Sequence, residues 1–347
     1  MAELGLDVVD QILVRSDVED LIRCKSVCKS WQSIISDPRF VKAHLNHAYT
    51  NDRNNPELGH RRVCLSVISG EDSWFYSDCV HIVGSCNGLL CVSPKGVKFV
   101  VTNPSTREHK KLPTPPFRPH MHKIGMIREV VCWGFGYDSS TDDYKVIAGF
   151  MKDWHSKHTR FHALTLKSNT WKAIGKVKYS TYVGKSGILC GGALHWFMTH
   201  KNHKKAIISL DLSTEEFKEI PLPDPSLLYD RDCFDYRLGV IEDCLCIYLR
   251  CSSLSTRKWV MKNNRWEVYT NDHCQGKYDV AHYLPITLDS QMTSSDGVDD
   301  GTRVPVNGEY IRASIFVKSL VSPYSHDNNH CEGQKRNAKV QSKCLSV

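Results

Sequence analysis

Gly184-Lys185-Ser186 places a lysine and a hydroxyl beside a glycine, the trio that grips a nucleotide phosphate. A phosphate-binding loop also needs a glycine five residues ahead of its Gly-Lys pair, and Tyr179 stands there. The tripeptide does not frame a nucleophile elbow either, because Ile188 occupies the place of the last glycine. Imidazoles come next: His155, His158 and His162 fall close together, His120 and His122 flank Met121, and His195, His200 and His203 cluster later. None has paired cysteines at zinc-finger spacing, and Cys244 and Cys246 alternate within a strand-like run. The expectation is no metal and no cofactor. Asp142-Asp143 and Glu215-Glu216 are adjacent acids, which point apart on a strand. A glycosidase instead holds two carboxylates about 5–9.5 Å apart across a cleft. Lys201 to Lys205 reads as a solvated basic tip. No catalytic residue is assigned, so the chain is expected to bind rather than transform.

At 347 residues, with 41% apolar and 24% charged content, the chain fits one large or two ordinary soluble domains. Its net charge of +7 is thinly spread, without a dense patch interleaved with aromatics, so nucleic acid is not an expected partner. No apolar run approaches the roughly 18–20 residues of a membrane helix, and Glu3, Asp7 and Asp10 stand where a signal peptide would be basic and then apolar. Fifteen cysteines in irregular spacing read as reduced thiols, which fits cytoplasm or nucleus.

Three short helices are predicted in Leu4 to Phe40. Asp7 to Arg15 carries Val8, Val9, Ile12 and Leu13 at helical spacing. Ser16 precedes Glu19 at capping-box spacing, ahead of Val18, Leu21 and Ile22. A third run places Val27, Trp31, Ile34 and Ile35 on one side before Asp37-Pro38 stops it. A unit of about 40 residues rarely buries enough surface to fold alone. It must lean on the rest of the chain or offer an apolar face to another protein.

Residues 47–62 are polar, with Asn-Asp and Asn-Pro turn signals, and read as a linker. From Val63 the character changes to short Val-, Ile- and aromatic-rich runs separated by Gly, Asn, Asp, Ser and Pro. Strand-turn-strand segments recur with turns near Ser105, Asn169, Thr214 and Asn263. Strand pairs led by glycine, such as "GSCNGLLCV", "GILCGGALHWF" and "LGVIEDCLCIY", alternate with them, and "GFGYDSSTDDYKVIAGF" lies between. Asn87-Gly88 and Gly191-Gly192 supply the left-handed residues of tight hairpins. Units of about 40–50 residues with four strands each are the signature of a propeller. Residues 286–309 are acidic and poor in apolar side chains, a loop by composition; residues 310–323 return to strand character, and residues 324–347 read as a disordered basic tail.

The segment "LGLDVVDQILVRSDVEDLIRCKSVCKSWQSIISDPRF" resembles an F-box, the adaptor-binding motif of Skp–cullin–F-box ubiquitin ligases. Gly5 stands where the family starts with Leu-Pro, and Ser16-Asp17 replaces a second Leu-Pro. The phrases "SCNGLLC", "NPSTRE", "GFGYDSSTDDYKV", "GALHW", "SLDLSTEEFKEIPLP" and "SLVSP" resemble the plant F-box-associated domain in the same order. The resemblance implies an α+β multidomain chain: an F-box at 1–46, a linker at 47–62 and an all-β, propeller-like recognition domain at 63–323. It also implies a non-catalytic substrate receptor that binds a Skp-type adaptor, and through it a cullin, and captures a target protein. The residues expected at the adaptor are Leu4, Val8, Ile12, Leu13, Val18, Leu21, Ile22, Val27 and Trp31. Loops around His120, His155, Tyr229 and Lys277 are the candidates for target capture, since a propeller binds through its loops. A scaffold with a decayed F-box is the main alternative, and a propeller enzyme or lectin the lesser one.

Overall fold

In a computed structural model, residues 6–54, 61–68, 80–94, 98–116, 132–151, 158–179, 186–199, 205–223, 233–251, 256–269, 303–306 and 309–324 are described. Helices α1 (Leu6–Leu13), α2 (Val18–Cys24), α3 (Lys29–Ser36) and α4 (Pro38–Asn54) open the chain. The count of three helices is therefore corrected to four. Asp37-Pro38 ends α3 as expected, yet proline also suits the first turn of a helix, where its missing N–H is not needed. The Asp37 carboxylate accepts from the Arg39 amide at 2.7 Å, and its carbonyl accepts from Val41 at 3.0 Å, starting α4. Polar composition hid this helix: Phe40, His44, Leu45 and Ala48 form its buried side, and residues 47–54, read as linker, are helical.

The sheets follow in chain order. The first is β2 (Val80–Cys86), β3 (Leu89–Pro94), β4 (Val100–Asn103) and β5 (Glu108–Lys111); the second is β6 (Cys132–Asp138), β7 (Asp143–Phe150), β8 (Thr159–Thr165) and β9 (Trp171–Val177). The third is β10 (Ile188–Cys190), β11 (Ala193–Thr199), β12 (Lys205–Asp211) and β13 (Phe217–Ile220); the fourth is β14 (Cys233–Ile241), β15 (Cys244–Cys251), β16 (Thr256–Lys262) and β17 (Arg265–Val268). Each is an antiparallel meander. A three-stranded sheet joins β1 (Arg61–Ile68), β19 (Glu309–Val317) and β18 (Arg303–Val306), with Arg61 opposite Val317 and Ile68 opposite Tyr310. Residues 303–306, placed in the acidic loop by composition, are thus strand; residues 286–302 and 325–347 lie outside the described residues.

Strand alternation sends neighbouring residues to opposite faces. Trp133, Phe135, Val146 and Ala148 pack with Val83, Cys91, Phe99 and Val101 of the first sheet. From the other face of the second sheet, Cys132, Ile147 and Phe161 meet Leu194, Trp196, Met198 and Ile208 of the third. Ile207 and Phe197 then turn from the third sheet to Leu238, Leu245 and Ile247 of the fourth. Indole N–H groups tie the same interfaces: Trp196 donates to the Trp133 carbonyl at 2.8 Å, Trp171 to Pro113 at 2.8 Å and Trp266 to Pro221 at 2.7 Å.

The polar turn between β6 and β7 carries charge inward. The Asp138 carboxylate, with its side chain 0% exposed, sits 3.0 Å from Lys145 Nζ, itself 5% exposed. Lys145 also contacts Glu215 of the third sheet at 3.0 Å and donates to the Leu212 carbonyl. Burial alone would raise the pKa of Asp138. Hydrogen bonds from Ser140, Lys145 and Thr141 outweigh that and hold its carboxyl well below the usual range. A folded-state pKa below the ordinary value stabilises the fold above that value and loses the effect as pH falls. Lys145→Met leaves Asp138 buried without its cation and is expected to cost about 3–5 kcal/mol in urea unfolding at neutral pH. The difference from wild type shrinks as the solution is taken below the ordinary Asp value of 3.8.

Candidate protein-interaction site on the helices

The expected capping box does not form. Ser16 Oγ instead donates to the Ile12 carbonyl at 3.1 Å, closing α1, while Asp17 caps α2, its carboxylate accepting from the Glu19 amide at 3.3 Å. A carboxylate one residue nearer the helix does the same work as the serine and suits the positive end of its dipole.

Val9 and Leu13 stand at i and i+4 on the inner face of α1. With Val18, Leu21, Ile35, Phe40 and Leu320 they form the core of the helical unit. The outward side of the same unit carries apolar side chains too, on α1, on α2 and, for Val27, in the turn between α2 and α3. Val8 is 45% exposed, Ile12 56%, Ile22 36% and Val27 65%; with Val268 these are the exposed large apolar side chains among the described residues. Four of the five lie within residues 8–27.

The structure thus divides the nine residues expected at an adaptor. Val8, Ile12, Ile22 and Val27 face outward, Leu13, Val18 and Leu21 are core, and Trp31 is half-buried against that core. Leu4, His120, His155, Tyr229 and Lys277 lie outside the described residues.

Sequence reasoning missed what seats the helices on the sheets. Lys318 Nζ, on a side chain 7% exposed, lies 3.1 Å from both Asp17 oxygens and 2.6 Å from Glu19 Oε2. Burial pushes the Asp17 carboxyl up, but its hydrogen bonds with Glu19 and Lys318 prevail and hold it well below the usual carboxylate range. Tyr49 Oη donates to Asn87 Oδ1 at 3.2 Å, and Lys42 pairs with Asp142 at 3.5 Å, so α4 rests on the hairpin turns of the first two sheets. The signal was present only as the phrase "SLVSP", with nothing local to say what it touches. Leu21→Ala empties part of the helical core and is expected to cost about 2–5 kcal/mol. Val8→Ser and Ile12→Ser should each stay within about 0.5 kcal/mol of wild type; urea unfolding followed by helical circular dichroism makes the comparison.

Comparison with known proteins agrees with this geometry. Residues 1–43 match the F-box domain, and residues 50–282 match the F-box associated beta propeller domain. An F-box/kelch-repeat protein of Arabidopsis thaliana is 28% identical over 283 residues, covering 75% of each chain. The F-box protein CPR1 of the same plant is 28% identical over 292 residues, covering 76% of this chain and 70% of its own. With exposed apolar helices at its start and four-stranded sheets behind them, the chain belongs to the family of F-box proteins that carry an F-box associated beta propeller domain.

Proposed function

We propose that the chain is the substrate-receptor subunit of a Skp–cullin–F-box ubiquitin ligase. The carrying observation is the outward apolar set of Val8 and Ile12 on α1, Ile22 on α2 and Val27 in the α2–α3 turn, on a helical unit whose core is already filled from within. A Skp-type adaptor covers that set and connects the chain to a cullin. The chain itself makes and breaks no bond. It contributes proximity, raising the effective concentration of a target lysine beside the ubiquitin-loaded enzyme.

The sheets form a propeller-like ring behind an F-box at 1–46, with the seam at β1 and β19. Three features support it: sheets packed face to face in chain order, a parallel bridge between Trp133 of β6 and Ser186 just ahead of β10, and the pairing of β1 with β19, the first and last strands among the described residues. Helix α4 docks on the tight hairpin turns. His120, His155, Tyr229 and Lys277, outside the described residues, follow β5, β7, β13 and β17 in sequence. Target capture is assigned to the loops around them, and the complex to cytoplasm or nucleus.

Each apolar side chain buried at the adaptor is worth about 1.5–3 kcal/mol. Val8→Glu with Ile12→Glu is therefore expected to weaken capture of a Skp-type adaptor by about two orders of magnitude or more while urea unfolding is unchanged. Undiminished capture by that variant contradicts the assigned surface. A wild-type chain that folds but ignores the adaptor favours a scaffold with a decayed F-box.

A further inference from the structure

Three phrases that the function does not absorb, "SCNGLLC", "NPSTRE" and "SLVSP", meet in one place. After β19 the chain runs as a strap between the helices and the first sheet, and its residues alternate between the two. Lys318 and Leu320 go to the helices, the first into the Asp17–Glu19 carboxylates and the second into the helical core. Ser319 and Val321 go to the sheets. Asn103 Nδ2 donates to the Ser319 carbonyl at 2.9 Å and to the Val321 carbonyl at 2.7 Å. Its Oδ1 accepts from the Ser105 amide at 2.8 Å, so the anchor is held by its own turn. Ser319 Oγ donates to the Asn87 carbonyl at 2.9 Å. Gly88, at φ +81°, leaves the strap its room: a Cβ there would stand 2.6 Å from the Val317 carbonyl oxygen and against Ser319. At the far end Tyr324 Oη donates to the His109 carbonyl at 2.7 Å.

The helical unit is therefore fixed at more than the covalent link from α4 to β1. The α4 contacts of Tyr49 and Lys42 are part-buried or exposed; the strap adds an attachment through buried Lys318 and the shared core residue Leu320, which restrains the swing that a small domain otherwise keeps. We infer that the strap from Lys318 to Tyr324 is a positioning device that locks the orientation of the adaptor-binding helices against the β domain. Lys318, Leu320 and Asn103 are positioning residues in it. This deepens the receptor function and rests on it: a rigid seat holds a captured target at a set distance from the adaptor, which transfer by proximity requires.

The test is the distance distribution between genetically encoded spin labels at exposed Gln32 on α3 and exposed Lys218 on β13 in the full-length chain. Wild type should give a single narrow distance. Lys318→Glu, which sets three carboxylates against one another, and Asn103→Ala, which frees the sheet side of the strap, should each lose it. Adding Glu19→Lys and Asp17→Asn to Lys318→Glu restores a compensating charge, and the amide side chain that Asp17→Asn introduces still caps α2; this combination should recover the narrow distance. A narrow wild-type-like distance in both Lys318→Glu and Asn103→Ala overturns the strap, as does a broad distance in wild type. Skp-type adaptor capture by the same wild-type sample is read separately. A narrow distance without capture supports the strap and sinks the receptor function instead.

Discussion

Alternate residues of β6 and β7 point to opposite faces of one sheet, and both faces are buried: Trp133, Phe135, Val146 and Ala148 on one, Cys132 and Ile147 on the other. A four-stranded sheet with two apolar faces cannot stand alone, because each face exposed to water forfeits about 25 cal/mol for every Å² of apolar area left unburied. The chain resolves this by repetition. From the first sheet to the fourth, each packs on the next, so this part of the fold is a sum of neighbour interfaces rather than one central core. Polar ties make those interfaces specific. Indole donors reach carbonyls across the gap, and Lys145 bridges Asp138 of its own sheet to Glu215 of the next. Close approach is part of the same constraint: a Cβ on Gly134 would press on Leu194, and one on Gly187 on Trp196.

The helical unit meets the opposite problem. It has too few residues to complete a core, yet it leaves Val8, Ile12, Ile22 and Val27 exposed. Leu320, from the far end of the chain, fills the inside that seven-residue α2 and its neighbours leave short. Burial from within lets Val8, Ile12, Ile22 and Val27 stay outside without collapse of the unit. Buried and exposed apolar residues are interleaved one position apart, as Val9 and Val8 show.

Local chemistry made much of this legible. Turns centred near Ser105, Asn169, Thr214 and Asn263 are the β4–β5, β8–β9, β12–β13 and β16–β17 hairpins; Arg107 and Glu215 are the left-handed residues of the first and third, while Asn169, Asn263 and Asn264 take positive φ in the other two, as short amide side chains tolerate. Asn87-Gly88 and Gly191-Gly192 turn their hairpins for the same reason. Helix α4 was hidden because its apolar stripe is narrow and broken by His44, whose ring contacts the Ser16 carbonyl at 2.9 Å. Asn103 shows the deeper limit. Its bonds to its own turn follow from the Asx pattern, but its partners on the strap lie more than two hundred residues away. Periodicity carries no information across that separation. The outward and inward members of the adaptor set were likewise indistinguishable, since one helix supplies both.

The proposed receptor role requires that a Skp-type adaptor cover the outward face of α1 to α3. Hydrogen–deuterium exchange of the full-length chain with and without that adaptor addresses this directly. A stable complex is expected, with new protection concentrated in residues 6–36 and the sheets unchanged. Protection confined to the sheets, or no complex at all, would contradict it.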